Sequence, residues 1–386
     1  MNKSKVSLKI ISPVLTAFFV ASFCDLVGIG VDRVKLDFEL SNTLAQLIPS
    51  AVFLWFFILS VPVGILQDRI GKKKVLNIGI VVTILGLIVP FLFYTFELVI
   101  AGFALLGIGN TIVQVSANPL LVDVVPSNKR SSFLSLSQFI KAIGSMIAAP
   151  LAGWLAAKYG DWKLVLVVFG AVSVLTFLWL SSTKIEETKT TDKRVTFATA
   201  FGLLGNGFIA VMVLCIFLVV GIDVGINSVS GQFLLGKFGS EQTLAESARI
   251  LYFFGKMLGT LTGAIMLTKF SSRKFFIWSS VFGLISIVAF IYSPTEIAAL
   301  VLIFIIGLSV ANIFPLVFSI TVGRYTERSN EISGLMIMAI SGGALLPPLM
   351  GWIADLTTVS TSIFVLVAAI AFILFISVSQ TKKKIS

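Results

Sequence analysis

Long apolar blocks constrain the fold of this chain more than any other feature. Hydrophobic stretches of about 20 residues recur along the sequence, and a stretch of that length crosses a bilayer core as a helix. Of the 386 residues, 57% are hydrophobic and only 12% are charged, whereas soluble domains have roughly 25% charged residues. The pattern predicts an all-α membrane protein. It excludes a soluble globular enzyme, a disordered chain and a small disulfide scaffold.

Twelve apolar blocks can be separated. We predict transmembrane helices, numbered here as spans 1–12, at residues 9–31, 43–67, 75–95, 98–123, 132–157, 164–183, 205–231, 247–268, 275–292, 297–323, 332–355 and 362–380. An even number of spans puts both termini on one side. Most of the 29 Lys and Arg residues fall on that side, so the positive-inside rule predicts cytoplasmic termini in a bacterial inner membrane. The same rule explains the net charge of +11 without a nucleic-acid partner.

The two halves of the chain repeat one another. The segment Pro-Leu-Ala-Gly-Trp-Leu-Ala at 150–156 returns as Pro-Leu-Met-Gly-Trp-Ile-Ala at 348–354, and Asp25 and Asp223 have the same spacing. A repeat of half the chain predicts two pseudo-symmetric six-helix bundles around a central site, an architecture typical of transporters. We predict an N-terminal bundle, a cytoplasmic linker and a C-terminal bundle at residues 1–183, 184–199 and 200–386.

Four charged residues lie inside predicted spans: Asp25, Lys141, Asp223 and Lys256. Each costs about 2.5–3.5 kcal/mol at the centre of a helix, so lipid-facing positions are unfavourable. Spans 3, 6, 9 and 12 lack such charges and are predicted to face lipid. We predict that Asp25, Asp223 and Lys141 couple transport to an ion. An Asp25–Lys141 pair would shift the carboxyl pKa if the two helices meet. The alternative role for these charges is a static salt bridge that fixes helix packing.

Uncharged polar residues form the second group of candidates. Gln114, Asn118, Gln138, Asn227 and Asn312 lie within predicted spans. Amides donate and accept hydrogen bonds, which suits ligands rich in hydroxyl groups. Together with Lys141 and Lys256 they are predicted to bind substrate, and the alternative is hydrogen bonding between helices. The chain has no His and two Cys in apolar blocks, so we expect no metal, no cofactor and no disulfide.

The loop between spans 2 and 3 carries a distinctive motif. Gly64, Asp68, Arg69 and Gly71 precede a basic run that begins at Lys72. Glycine permits close backbone approach, and Asp68 can lie at a neighbouring helix N-terminus. The motif resembles the signature loop of the major facilitator superfamily, which helps to hold the two bundles together on the cytoplasmic side. The resemblance implies a gating role for these four residues. The second-half counterpart at 268–274 is degenerate.

Within that superfamily the chain resembles the fucose permease (sugar:proton symporter) family. The similar segments are 116–119, 219–226, 312–315 and, most strongly, 333–355. The family implies import of a monosaccharide driven by protons or, in some branches, by sodium. Asn118-Pro119 and Phe314-Pro315 occupy matching places in the two halves, and we interpret both prolines as hinges or shapers of a cavity.

Three departures from the family affect the substrate prediction. Gln114 stands where the family has a coupling glutamate, and Lys141 stands where it has a sugar-binding asparagine. The helix 1 acid is Asp25, while the family's usual aspartate position falls at Gly28. Either Asp25 neutralises Lys141 and the substrate is a neutral sugar, or Lys141 binds an acidic sugar or other organic anion. The balanced intramembrane charges favour a neutral sugar.

Other classes remain as alternatives. A drug or metabolite exporter of the same fold is one, because residues 149–153 partly resemble an antiporter motif. A transporter-like sensor without flux is another. An enzyme is not expected, since no nucleophile motif or soluble domain is present. The expected partners are a sugar, a coupling proton or sodium ion and the lipid bilayer, with the chain as a monomer.

Overall fold

A computed structural model describes residues 8–27, 33–34, 37–39, 47–187 and 196–382. Within these residues every regular element is helical. The α-helices are α1 (Leu8–Ala21), α2 (Leu47–Ile70), α3 (Lys72–Leu92), α4 (Phe96–Val124), α5 (Arg130–Tyr159), α6 (Leu164–Ser182), α7 (Phe197–Gly202), α8 (Gly207–Phe238), α9 (Gln242–Met266), α10 (Ser272–Ile291), α11 (Glu296–Val310), α12 (Ile313–Arg324), α13 (Ser329–Met338), α14 (Gly342–Leu356), α15 (Val359–Ser362) and α16 (Phe364–Lys382).

The predicted all-α membrane fold is confirmed. The described part of each predicted span coincides with one helix or with consecutive helices. Among the described residues, 11 helical segments are long and apolar enough to cross a membrane. The remaining helix, α9, has 25 residues but is less apolar. It contains Arg249 and Lys256, which lower its hydropathy.

Helices that carry no interior charge expose apolar side chains, as lipid contact requires. On α3 the exposed residues Ile78, Val81, Leu85 and Ile88 follow one another every three or four positions. That spacing places them on one face of the helix. The helices α6, α10 and α16 also expose large apolar residues, among them Leu175, Phe282 and Phe375.

The two prolines interpreted as hinges have different structural settings. Pro119 lies inside the continuous helix α4, whereas Pro315 lies in the first turn of α12, after α11 has ended. A proline inside a helix leaves the carbonyl four residues earlier without its donor. Here that carbonyl belongs to Val115, and it accepts a hydrogen bond from the Ser333 hydroxyl at 2.7 Å. Span 10 is therefore divided into two helices just before Pro315. In contrast, α4 continues through Pro119, and the carbonyl that this proline frees has a hydrogen-bond donor.

The chain divides into two compact units. Unit 1 comprises residues 1–130, 140–203 and 322–338, and unit 2 comprises 131–139, 204–321 and 339–386. The first part of α5 thus belongs to unit 2, while α13 belongs to unit 1. The division into two bundles along the sequence repeat stays a prediction.

A carboxylate joins three loops of unit 1 on the predicted outer side. Asp37 accepts hydrogen bonds from the Tyr94 hydroxyl at 2.6 Å and from the Trp162 indole at 3.1 Å. Burial and the neighbouring Asp37 carboxylate raise the pKa of Tyr94 well above its usual range. The phenol therefore stays protonated and remains a donor to Asp37 at physiological pH.

The N-terminus of α3 is capped by an acid from the start of the linker. Gly71 precedes the helix with φ of 94°, a conformation that favours glycine. The Glu187 carboxylate accepts hydrogen bonds from the backbone N–H groups of Lys72 at 2.6 Å and Lys73 at 3.0 Å. These are donors that a helix start leaves unsatisfied, and the helix dipole favours a negative charge there.

Replacement of this cap tests its contribution to stability. We expect Glu187→Gln to destabilise the protein by about 1 kcal/mol, because the amide has one acceptor oxygen and no charge. The measurement is the melting temperature of purified protein in detergent. Glu186→Gln is the matched control, since Glu186 is exposed. Equal melting temperatures for the two variants would contradict the capping role.

Candidate substrate and coupling site

Unit 2 contains an ion pair between two membrane-spanning helices. Lys256 of α9 lies with its Nζ 2.6 Å from Oδ2 of Asp223 on α8. The Tyr252 hydroxyl donates a hydrogen bond to Oδ1 of the same carboxylate at 2.5 Å. Tyr252 and Lys256 are four residues apart on α9 and therefore project from one face of that helix. Each oxygen of the Asp223 carboxylate therefore has a hydrogen-bond donor on α9.

Burial decides how this cluster behaves. Tyr252 is fully buried, whereas the side chains of Asp223 and Lys256 keep 25% and 28% of their surface exposed. An ion pair in such surroundings is electrically neutral as a unit, but removal of one partner leaves an uncompensated charge. The structure thus pairs Lys256 with Asp223. From the sequence, Lys256 is predicted only as a substrate-binding residue.

Two asparagines of unit 2 retain unused acceptors. The Oδ1 atoms of Asn227 and Asn312 are buried and make no hydrogen bond among the described residues. Asn312 lies between α11 and α12, where its Nδ2 donates to the Gly259 carbonyl at 2.6 Å. Asn227 follows Asp223 by one turn of α8. Buried acceptors without a donor are costly, and a hydroxyl-bearing ligand would supply that donor.

In unit 1, Asp25 lies in a 3₁₀ segment, Ser22–Leu26, that follows α1. Its Oδ2 accepts a hydrogen bond from the Ser145 hydroxyl of α5, and the Cys24 thiol lies 3.4 Å from its Oδ1. The side chain is otherwise exposed within the protein. Among the described residues Asp25 therefore has no ion-pair partner, unlike Asp223.

The postulated ion pair between Asp25 and Lys141 does not form. Among the ion pairs of the described residues, none joins the Lys141 ammonium to the Asp25 carboxylate within 4.0 Å. The neighbour of Asp25 on α5 is Ser145, one helical turn beyond Lys141. The Ser145 hydroxyl also lies 3.1 Å from the backbone carbonyl of Lys141, an alternative acceptor for its single proton. The helices meet as the pairing hypothesis required, but the facing residue of α5 is displaced by one turn.

Amides form a ladder along α4. The Gln114 side-chain amide donates to Oδ1 of Asn110 at 3.3 Å, and the Asn118 side-chain amide donates to the backbone carbonyl of Gln114 at 2.7 Å. All three are buried. Asn110 Nδ2 and Asn118 Oδ1 make no hydrogen bond among the described residues. Sequence reasoning missed Asn110, although its position one turn before Gln114 was a usable signal.

The remaining two candidates on α5 belong to different units. Gln138 is half-buried and belongs to unit 2, whereas Lys141 is half-buried and belongs to unit 1. The family's usual acid position, Gly28, lies outside the described residues.

The motif residues of α2 contact α13. A Cβ atom on Gly64 would lie 2.8 Å from the Asn330 carbonyl, so only glycine fits this close approach. Asn330, in the first turn of α13, donates to Asp68 at 3.3 Å, and Gln67 donates to the Asn330 carbonyl at 3.4 Å. Asn330 was also missed from the sequence, because nothing marks an asparagine in the polar stretch between spans 10 and 11 as a partner of this motif.

Two further motif residues have distinct settings. Arg69 is exposed at the end of α2, and the Lys72 ammonium forms a buried ion pair with Asp123 of α4 at 2.6 Å. Asp68, before Gly71, thus contacts α13, and Lys72, after Gly71, contacts α4. The motif joins α2, α3, α4 and α13 in unit 1.

A comparison of the sequence with models of known protein families gives a match that covers most of the chain. The family model of the Major Facilitator Superfamily matches residues 9–226 and 212–384. The chain belongs to the Major Facilitator Superfamily. The resemblance based on the Gly64–Lys73 motif is therefore confirmed for the superfamily.

Curated superfamily relatives span nearly the whole chain. A glucose/galactose transporter of Brucella abortus is 25% identical over 386 residues, which cover 95% of this chain and 92% of that protein. A putative glucose/galactose transporter of Helicobacter pylori is 26% identical, with 90% of each chain covered. A cis,cis-muconate transport protein of Acinetobacter baylyi is 24% identical, with 89% of this chain and 86% of that protein covered.

Solved structures support the fold. The superfamily transporter FucP, described in an outward conformation, matches with a TM-score of 0.84 and 18% identity, over 95% of this chain and 97% of that chain. The proton:xylose symporter XylE matches with a TM-score of 0.77 and 14% identity, over 98% and 96% of the two chains. The chain therefore has the major facilitator fold.

The coupling between Asp223 and Lys256 is testable by a double-mutant cycle. We expect Asp223→Asn and Lys256→Met each to destabilise the protein by about 2 kcal/mol, because each leaves a charge without its partner. The double variant should be more stable than either single variant. The measurement is the melting temperature in detergent.

The loop pair Asp161–Lys163 provides the control for that cycle. The Lys163 Nζ and Asp161 Oδ2 atoms are 3.5 Å apart, and the Asp161 side chain is more exposed than that of Asp223. The substitutions Asp161→Asn and Lys163→Met should therefore show almost no coupling. Additive destabilisation in the Asp223–Lys256 cycle would contradict a buried, interdependent pair.

Proposed function

We propose that the protein imports a monosaccharide or related sugar by proton symport through alternating access. It spans the bacterial cytoplasmic membrane several times, with both termini in the cytoplasm, and acts as a transporter rather than an enzyme. The observation that carries the proposal is a set of amide side chains in membrane-spanning segments that each keep a buried atom without a hydrogen bond: Asn110, Asn118, Asn227 and Asn312. Hydroxyl groups of a sugar complement both amide donors and amide acceptors.

A neutral sugar is favoured over a charged one. The ammonium of Lys256 is already neutralised by Asp223 at 2.6 Å, so it offers no free positive charge to an anionic ligand. The relatives in Brucella abortus and Helicobacter pylori are named for glucose and galactose, which are neutral sugars. Gln114, Asn118 and Gln138 in the first half, with Asn227, Lys256 and Asn312 in the second, form the proposed substrate-binding set.

Asp25 is the proposed proton carrier. Its carboxylate accepts hydrogen bonds from the Ser145 hydroxyl and the Cys24 thiol, and its side chain is exposed. It has no ion-pair partner among the described residues, and we propose that it binds and releases a proton during transport. Asp223 is held by two donors and is proposed to contribute only when Lys256 moves away. Lys141, one turn from Ser145 on α5, is proposed to take part in coupling through its positive charge.

Gating is assigned to Gly64, Asp68, Arg69 and Gly71. Gly64 allows α13 to approach α2, and Asp68 binds Asn330 in the first turn of α13. Gly71 provides the sharp entry to α3. We propose that this contact between α2 and α13 breaks when the cytoplasmic side opens.

The proton-carrier role predicts a specific kinetic defect. In proteoliposomes with an imposed proton gradient, Asp25→Asn should abolish accumulation of D-glucose or D-galactose above equilibrium, because an amide does not bind a proton. Exchange of labelled for unlabelled sugar at equal concentrations should persist. Asp161→Asn, in an outer loop, is the control. Wild-type accumulation by Asp25→Asn would remove Asp25 from coupling.

Transport of an organic anion is the second candidate. Lys141 makes no ion pair within 4.0 Å in the described residues, and one relative is named for muconate, an organic anion. An ammonium without a partner in the membrane would bind a carboxylate of the substrate. A gradient-driven exporter has no comparable observation in its favour.

Selectivity separates these candidates. If the substrate is anionic, Lys141→Asn should reduce uptake of D-galacturonate at least tenfold relative to D-galactose, because the substrate carboxylate loses its ionic partner. Lys158→Asn, in the last turn of the same helix, is the matched control. For a neutral-sugar transporter the ratio stays unchanged, and a wild-type protein that takes up only galacturonate would contradict the main proposal.

A further inference from the structure

A cluster of hydroxyl groups fixes the start of α5 within unit 2. The Ser131 hydroxyl lies 2.8 Å from the Ser272 hydroxyl of α10 and forms a second hydrogen bond with Ser319 of α12. The adjacent Ser132 donates to the Ala264 carbonyl of α9. We call these four serines the hydroxyl latch. Three helices of unit 2 are thereby bound to the first turn of α5.

Three of the four latch serines are buried, Ser272 is half-buried, and the hydrogen bonds of the latch are mutually consistent. Ser131, Ser132 and Ser319 keep only 7%, 6% and 6% of their surface exposed. A hydroxyl has one proton and two lone pairs, so Ser131 donates to one neighbour and accepts from the other. No charged group takes part in these contacts.

The sequence repeat gives the latch a counterpart. Ser131 and Ser132 correspond to Ser329 and Asn330 at the spacing of the repeat, and Asn330 is the residue of α13 that binds Asp68. Ser272 lies in the 268–274 segment, the degenerate second-half counterpart of the motif loop. The first turn of α5 in unit 2 and the first turn of α13 in unit 1 therefore make equivalent contacts by different chemistry.

We propose that the hydroxyl latch is the second cytoplasmic gate, which replaces the charged contacts of the motif loop in the other half of the repeat. The proposal rests on alternating access, as the proposed function does, but not on the identity of the substrate. Hydrogen bonds between neutral hydroxyls exchange readily for hydrogen bonds to water. Such a contact can therefore open and close once in every transport cycle.

Cysteine accessibility tests the latch without any sugar. In a background with Cys24→Ala and Cys215→Ala, Ser135→Cys provides a reporter that is fully buried one turn after Ser131. A membrane-impermeant maleimide is applied to inside-out vesicles, and the labelling rate measures how often water reaches this position from the cytoplasmic side. Ser319→Ala removes one hydrogen bond of the closed latch and should raise the rate about fivefold.

Two controls separate the hydroxyl group from other effects. Ser137→Ala, on the same helix, loses only a hydroxyl that donates to the Leu134 carbonyl of α5, and its rate should equal that of the parent. Ser272→Ala should raise the rate, whereas Ser272→Thr keeps the hydroxyl and should not. This pair decides the question if Ser319→Ala does not yield folded protein.

The outcomes are distinct. Faster labelling of Ser319→Ala and Ser272→Ala, with parental rates for Ser137→Ala and Ser272→Thr, supports the latch. Rates for both alanine variants equal to that of Ser137→Ala would overturn it, as would equal acceleration by Ser272→Ala and Ser272→Thr. Failure of sugar transport would leave these labelling results unaffected, so the two proposals are tested separately.

Discussion

A bilayer offers no water to polar groups, and this constraint organises the interior of the protein. Each polar group within the membrane must find a partner, a ligand or a position with access to water. Asp223 is neutralised by Lys256 and bound by Tyr252, while Asp25 is bound by Ser145. Even the carbonyl freed by Pro119 accepts a hydrogen bond from Ser333. The amide atoms that lack protein partners then become the natural places for a hydroxyl-rich ligand.

The helices are predictable from the sequence because their determinant is local. An apolar block of sufficient length forms a spanning helix whatever its neighbours, and a charge within it is conspicuous. The partners of those charges depend on helix rotation and depth, which the sequence does not encode locally. The sequence pattern therefore pairs Lys141 with Asp25, although Ser145, one turn away, is the residue that contacts it.

The residues missed from the sequence share a physical character. Glu187 is one of several acids near the linker, and only the fold shows that it caps α3. Asn110 is a single amide in an apolar block, and Asn330 lies in a polar stretch between two spans. Their roles come from contacts with Gln114 and Asp68, respectively. Composition and spacing do not distinguish such residues from ordinary helix-packing amides.

The central claim is that sugar movement and proton movement are linked through a titratable group in the membrane. The most direct measurement uses proteoliposomes without any imposed gradient, in a weakly buffered medium, to which D-glucose or D-galactose is added. The account predicts that sugar entry makes the external medium more alkaline, because each sugar enters with a proton. Sugar entry with no change in external pH, in the same wild-type protein, would contradict it.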